Sequence, residues 1–206
     1  MPCSFDFESV LWNQGSSKVA GIDEAGRGPI AGPVVAVAVI LPRGYTLEEL
    51  DDSKRLSRAT RERLFNKLTS HAEICFGVGV IEPDEIDRIN ILRATHAAMR
   101  LALEALTESP EHVLIDGLPV HPFPCAQTAI VAGDSLSFSI AAASVIAKVT
   151  RDRIMANYHS EFPEYGFVNH QGYATARHLA SLRLHGPCRI HRRSFAPVSQ
   201  TVFSFA

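Results

Sequence analysis

The chain predicts an α/β fold, a mixed sheet covered by helices, and two observations carry that expectation. Two β-rich runs come first, joined by a tight Gly/Pro connection as a hairpin would be. Further β-runs then alternate with segments of helical spacing. A hairpin followed by alternating strands and helices gives a sheet with both antiparallel and parallel pairs.

Val19 to Asp23 reads as a short buried strand. Pro29, Gly32 and Pro33 make the connection, and Val34 to Leu41 is a β-branched second strand. Residues 43 to 52 form a loop with a helical turn at Leu47 to Leu50. Ser57 is the N-cap of a helix running through Leu64, Phe65 and Leu68. Ile74 to Ile81 is the third strand, and Pro83 sits at a helix start. A longer helix covers roughly Ile89 to Leu106, with Ile91, Leu92, Thr95, Ala98, Met99, Ala102 and Leu106 at helical spacing. His112 to Asp116 is the fourth strand, stopped by Gly117, and Gln127 to Val131 the fifth, stopped by Gly133. An Ala-rich helix follows from Ser139 to about Tyr158, and a last helix runs from Thr175 to His185, ended by Gly186. Pro163 to Tyr173 has loop character and marks a boundary between an α/β body and a basic helical tail.

The length of 206 residues fits one domain or a domain with a small appendage. No segment is long and apolar enough to span a bilayer. The N-terminus carries Asp6 and Glu8 where a secretory signal would carry Lys or Arg, so cytoplasmic residence is expected. Cys3, Cys75, Cys125 and Cys188 are scattered without a C-x-x-C pair, which indicates neither a zinc site nor a disulfide framework. The formal net charge of −2 divides unevenly, because no acid follows Glu164 while five arginines do. With Tyr165, Phe167, Tyr173 and Phe195 interleaved, that tail has the composition that grips phosphates and stacks on bases.

The strongest chemical signal is acidic. Asp23-Glu24, Asp116 and Asp134 each follow an apolar run and sit beside glycine or a turn. That places them at strand ends, where α/β sheets gather their sites. Singly, each has a simpler reading: Asp116 as a turn former, Asp134 as a helix-start cap, Glu24 as a partner of Arg27. Together they would repel strongly without cations. An all-oxygen ligand set favours Mg²⁺ or Mn²⁺ over zinc. Two such ions about 4 Å apart are the usual device for phosphodiester cleavage. Asp152 is a weaker candidate, since an ion pair with Lys148 four residues earlier explains both.

Gly26-Arg27-Gly28 does not make a dinucleotide loop, because the next glycine is Gly32 and the loop opens into a strand instead of a helix. A Walker loop would need Gly-Lys-Ser/Thr. Two glycines flanking Arg27 instead offer backbone groups that a ligand can approach closely, such as a ribose hydroxyl.

Several strings together resemble bacterial ribonuclease HII. They are Ile22-Asp-Glu-Ala-Gly-Arg-Gly-Pro29 with Ala31-Gly-Pro33, Asp52-Ser-Lys54, Leu114-Ile-Asp-Gly117 and Gly133-Asp-Ser135. Ser139 to Ser144, Ala147 to Asp152, Tyr165-Gly-Phe167, Gly172-Tyr173 and His191-Arg-Arg-Ser-Phe195 complete the match from about residue 19 to 197. The resemblance implies an RNase H-like five-stranded mixed sheet flanked by helices. A catalytic domain would cover residues 1–162 and a small helical C-terminal extension residues 163–206. It implies hydrolysis of the RNA strand of RNA/DNA hybrids and incision 5′ of single ribonucleotides in duplex DNA, leaving 3′-hydroxyl and 5′-phosphate ends. By position, Asp23, Glu24, Asp116 and Asp134 would be the catalytic acids and would hold two Mg²⁺ or Mn²⁺ ions. Gly26, Arg27, Gly28 and Tyr173 would read the RNA–DNA junction through the 2′-hydroxyl and the next deoxyribose. Lys54 would lie near substrate phosphates.

The chain departs from the family pattern at Leu118, Ala132 and Gln171, where Asn, Lys and Lys are usual. None removes an acid, but two remove a cation that could touch phosphate. The tail Gln200-Thr-Val-Phe-Ser-Phe205 faintly resembles a sliding-clamp peptide, although a frayed apolar terminus is the simpler explanation. A monomer is expected. Two other readings share the acids: an RNase H-like DNA resolvase, and a hybrid-binding module without catalysis.

Overall fold

The computed structural model describes residues 3–47, 49–50, 53 and 56–202. Five strands form one sheet: β1 (Val19–Ala25), β2 (Val34–Ile40), β3 (Cys75–Ile81), β4 (His112–Asp116) and β5 (Ala126–Ile130), in the order β3-β2-β1-β4-β5. The β1–β2 hairpin and the β2–β3 pair are antiparallel, whereas β4 pairs parallel to β1 and β5 parallel to β4. The mixed sheet expected from the sequence is the one observed.

β2 lies in the middle of the antiparallel half and is buried along its whole length, which is why its sequence is continuously apolar. Its odd residues Val35, Val37 and Val39 pack with Ala141, Ala142 and Val145 of the long helix α5 (Phe138–Glu161). Its even residues Val34, Ala36 and Ala38 pack with Ala94, Ala98 and Ala102 of helix α4 (Ile91–Glu104). Helix α2 (Arg58–Ser70) lies against α5, and the short α3 (Pro83–Ile89) precedes α4. Pro83 starts α3 as expected, and α4 answers to the longer helix expected over roughly Ile89 to Leu106. Asn90 separates the two at φ 70° and caps α4, accepting from Arg93 N at 3.1 Å. Ser57 caps α2 as expected, accepting from Thr60 N at 3.1 Å.

Helix α1 (Asp6–Asn13) escaped the sequence reading. It delivers buried Glu8 to the start of α5, where the carboxylate accepts from Ser137 Oγ at 2.6 Å, Ser139 N at 3.0 Å and Ser139 Oγ at 2.6 Å. A negative charge at a helix N-terminus is favourable there. The C-terminal part is α6 (Phe167–His170), α7 (Ala176–His185) and α8 (Ala196–Val202), so the helix expected to be last is followed by another. None of the four cysteines is in a disulfide. Among the described residues no helix is long and apolar enough to cross a membrane.

The approach of α5 to the sheet depends on Gly21. A Cβ there would stand 2.6 Å from Ser139 O and closer still to Ser139 C and Ile140 N. Gly21→Ala therefore forces backbone apart and should cost about 1–3 kcal/mol, read as a lower denaturant midpoint. Unchanged stability would show that α5 is not held this close.

Candidate active site

The parallel pairing of β1 with β4 builds the site. Ile22 is opposite Ile115, so the next residues, Asp23 and Asp116, leave the tips of adjacent strands. The carbonyl run of β5 then ends in a left-handed Ala132, and a 3₁₀ turn over Gly133–Ser135 brings in Asp134. Asp116 Oδ1 accepts from Gly133 N at 2.7 Å, which ties the β4 tip to that turn. Carboxylate oxygens of Asp23, Asp116 and Asp134 all lie within 4.8 Å of one another. Asp23 and Asp134 are buried and Asp116 is half-buried.

Glu24 follows a different geometry. Successive strand residues face opposite sides, so Asp23 projects toward α5 and Glu24 toward α4. Glu24 pairs with Arg27 at 3.2 Å, the simple alternative that the sequence offered. It still borders the cleft that holds Asp23 and Asp116. The structure thus draws three of the four acids into one cluster and sets the fourth at its edge.

This cleft, of about 240 Å³, is lined by Asp23, Glu24 and Asp116, by Gly26, Arg27 and Gly28, and by Tyr173. Tyr173 is 49% exposed, and a Cβ on Gly28 would lie 3.6 Å from its ring. The loop and the tyrosine therefore form one wall. Ser53, Ser144, Lys148 and Arg151 line the rest, and sequence reasoning singled out none of them for the cleft. Ser53 Oγ and Ser144 Oγ are 2.8 Å apart, and Lys148 pairs with Asp152 at 2.6 Å, as the helical spacing suggested. Lys54 lies outside the described residues.

Burial raises the Asp23 carboxyl well above the usual range, and the charges of Glu24 and Asp116 raise it further. A hydrogen bond from Ser144 and the Glu24 backbone N–H, at 2.7 Å, pull the other way. A crowded all-oxygen donor set that holds its proton this tightly fits a hard dication such as Mg²⁺ or Mn²⁺.

The glycine loop is set by two buried arginines. Arg192 donates to Gly26 O at 2.6 Å, Arg27 O at 2.9 Å and Gly32 O at 2.9 Å. Arg151 donates to Pro33 O at 2.9 Å, Ala31 O at 3.1 Å and Gln171 O at 3.0 Å. Desolvation lowers their pKa values to about 9 and about 10, still charged at neutral pH. Gly26, at φ +99°, has Arg151 and Pro33 O against its Cα, so no side chain fits there.

These contacts narrow the reading of the basic tail, in which Arg177, Arg183 and Arg193 stay exposed. Arg192 is wholly buried, and Arg189 pairs with Glu161 at 2.6 Å. Tyr165 and Phe167 stack on each other inside the fold, 5.3 Å apart, and neither can meet a base. Around them lie the buried His170, His178 and His191. His178 Nδ1 donates to Tyr173 O at 2.8 Å, so its Nε2 accepts from His191 Nε2 at 3.0 Å. His191 Nδ1 in turn accepts from Cys188 N and Sγ, both at 3.1 Å. Only neutral imidazoles satisfy this chain, and it ends on the backbone of Tyr173.

The family model for ribonuclease HII matches residues 20–198. The ribonuclease HII of Geobacter sulfurreducens is 54% identical over 199 residues, covering 97% of this chain and 91% of that one. The crystal structure of ribonuclease H2 from Pyrococcus horikoshii OT3 has a TM-score of 0.75 at 29% identity, covering 91% of this chain and 98% of the other. The ribonuclease HII in the PCNA complex from Archaeoglobus fulgidus has a TM-score of 0.70 at 28% identity, covering 87% and 95%. Fold and acidic cluster are those of a hydrolytic nuclease of the ribonuclease H class. Within that class the chain belongs to the ribonuclease HII family.

Two titrations act in opposite directions. The folded pKa of Asp23 lies above its ordinary 3.8, so the metal-free native state holds the extra proton and loses stability as pH rises above that value. Asp23→Asn should melt higher than wild type in EDTA at neutral pH, with the gap closing toward pH 4; a lower or equal melting temperature at neutral pH would contradict this.

His178 and His191 fall from an ordinary 6.5 to about 4 and about 3, through burial first. Their neutral forms stabilise the fold above pH 6.5, and that stability is lost as pH falls toward 4 and 3. Melting curves should show a downward slope on acidification in this window, weakened in His191→Gln. A slope of equal steepness in that variant would remove the buried pair as its source.

Proposed function

We propose that this protein hydrolyses the RNA strand of RNA/DNA hybrids and incises 5′ of single ribonucleotides in duplex DNA. The products are a 3′-hydroxyl and a 5′-phosphate, and the cofactor is a pair of Mg²⁺ or Mn²⁺ ions. The observation that carries the reading is the shared cleft: Asp23 and Asp116 of the acidic cluster and the Gly26-Arg27-Gly28/Tyr173 wall face the same space. One part can do phosphodiester chemistry and the other can recognise a sugar.

Asp23, Asp116 and Asp134 would hold the ions, with Glu24 completing the set from the α4 side. When bound, the ions supply the positive charge that activates water and stabilises the leaving 3′-oxygen. The chain's own residues do the positioning. Arg192 draws the carbonyls of Gly26 and Arg27 inward, so the loop offers its peptide N–H groups to a 2′-oxygen. Tyr173 places an exposed ring beside Gly28, where a deoxyribose can stack on it. Lys148, kept near the cleft by Asp152, adds positive charge for a phosphate. A sliding-clamp contact through Gln200 to Phe205 belongs to the same proposal. It rests on the tail sequence and on the archaeal relative seen with PCNA, and residues 203–206 lie outside the described part.

The test uses a labelled DNA duplex carrying one ribonucleotide, incubated with Mg²⁺, Mn²⁺ or EDTA. A single cut 5′ of the ribonucleotide, lost in EDTA, is expected. Asp23→Asn and Asp134→Asn should each lower the rate at least about 100-fold while the protein stays folded by circular dichroism. Cutting of all-DNA duplex at the same rate, or wild-type rates in either variant, would overturn the reading.

A further inference from the structure

Beyond the active cleft, the α4 side of the sheet carries a second groove of about 400 Å³. It is lined by Arg93, His96 and Arg100 of α4 and by His121 and Pro122 of the loop after β4. We propose that this groove is a phosphate track that grips the duplex backbone a few nucleotides from the scissile bond. The inference rests on the nucleic-acid reading above and extends it to residues outside the cleft.

The helix dictates the arrangement. Arg93, His96 and Arg100 occupy positions i, i+3 and i+7 and so share one face of α4. The opposite face, Ala94, Ala98 and Ala102, is spent on the sheet. At 1.5 Å per residue the two arginines, with His96 between them, span about 10 Å. A strand rises about 3.4 Å along the duplex axis per nucleotide and its phosphates are spaced more widely than that, so two arginines about 10 Å apart can reach two separate phosphates. His121 closes the far wall, and Arg100 Nη1 is fixed to Pro122 O at 3.3 Å.

Two further observations point to an anion. Among the described residues neither Arg93 nor Arg100 takes part in an ion pair, unlike Arg27, Arg88, Arg153 and Arg189. Like charges crowd here: burial first, then Arg100, Arg27 and His121, all depress the proton affinity of His96. The groove also opens toward the acids. A smaller cleft shares Glu24, Arg27 and Asp116 with the active site and His96 with the groove. A strand leaving the acidic cluster along that path meets Arg27, then His96, then the arginines. A polyanion of regular spacing, continuous with the bound substrate, is the partner this geometry fits.

Salt dependence gives the test. Binding of a fluorescent RNA/DNA hybrid to the metal-free full chain in EDTA is followed by anisotropy across a KCl series. Removing two phosphate contacts should flatten the slope of log K against log[KCl] by about 2 in Arg93→Ala/Arg100→Ala. Arg93→Lys/Arg100→Lys keeps both charges and should restore most of the slope. Lys18→Ala/Lys67→Ala removes the same charge elsewhere, Lys18 beside Glu108 next to the start of β1 and Lys67 on α2, and should leave the slope as in wild type. A wild-type slope in the Arg→Ala pair, or an equal flattening in the lysine pair, overturns the groove. Wild-type protein that binds with the expected slope difference but cuts nothing in Mn²⁺ would instead sink the nuclease reading and leave the groove standing.

Discussion

The register between β1 and β4 is the constraint on which the site depends. Pairing Ile22 with Ile115 sets Asp23 beside Asp116 at the tips of parallel neighbours. A slip of one residue would turn one carboxylate to the opposite face of the sheet. Register is held by burial on both faces. Leu114 packs with Ile140, while Ile22 and Ile115 pack in the cluster with α4. The hydrophobic core thus holds two carboxyl groups within 4.8 Å of each other, an arrangement neither residue would adopt in solution. The cost appears in the raised proton affinity of Asp23, and a hard cation is the natural relief.

A second long-range device joins the ends of the chain. Arg151 and Arg192 come from α5 and from the segment after α7, yet both bond the carbonyls between Gly26 and Pro33. Each sits in a buried setting where a cation is costly, and each is held by three carbonyls. Losing either side chain would leave those carbonyls without donors, at about 1–3 kcal/mol for each buried group. The C-terminal helices therefore act on the site by shaping the loop. The histidine chain from Cys188 through His191 and His178 extends the same control to Tyr173.

Much of this was legible beforehand because it is local. The β-branched run after Pro33, the Ser57 cap and the Ala-rich face of the long helix each announce an element within a few residues. The acids were legible because each ends an apolar run beside glycine. What the sequence hid is what folding decides over long distances. Whether Asp23 and Glu24 share a face depends on strand alternation, and Glu24 lands on the α4 side. Asn90 sets the boundary between α3 and α4 at φ 70°, a detail that helical spacing does not announce. Helix α1 gave little warning because its apolar stripe is short; Leu11 and Glu8 are its only buried residues among those described.

The basic tail shows most clearly why charge along a sequence is not charge in space. Five arginines after Glu164 read as a surface for a polyanion, but Arg192 is turned inward and Arg189 is engaged by Glu161. Three of the histidines there are buried, and His178 and His191 must be neutral to complete their hydrogen bonds. Meanwhile α4, which carries no run of charge, sets Arg93, His96 and Arg100 on one line because 3.6 residues make a turn. An arginine becomes available to phosphate when its helix face has no carboxylate nearby and no core to enter. By that criterion Arg93 and Arg100 qualify beside the acids, on the sheet face that Glu24 and Arg27 border, as the exposed Arg177 and Arg183 do on α7.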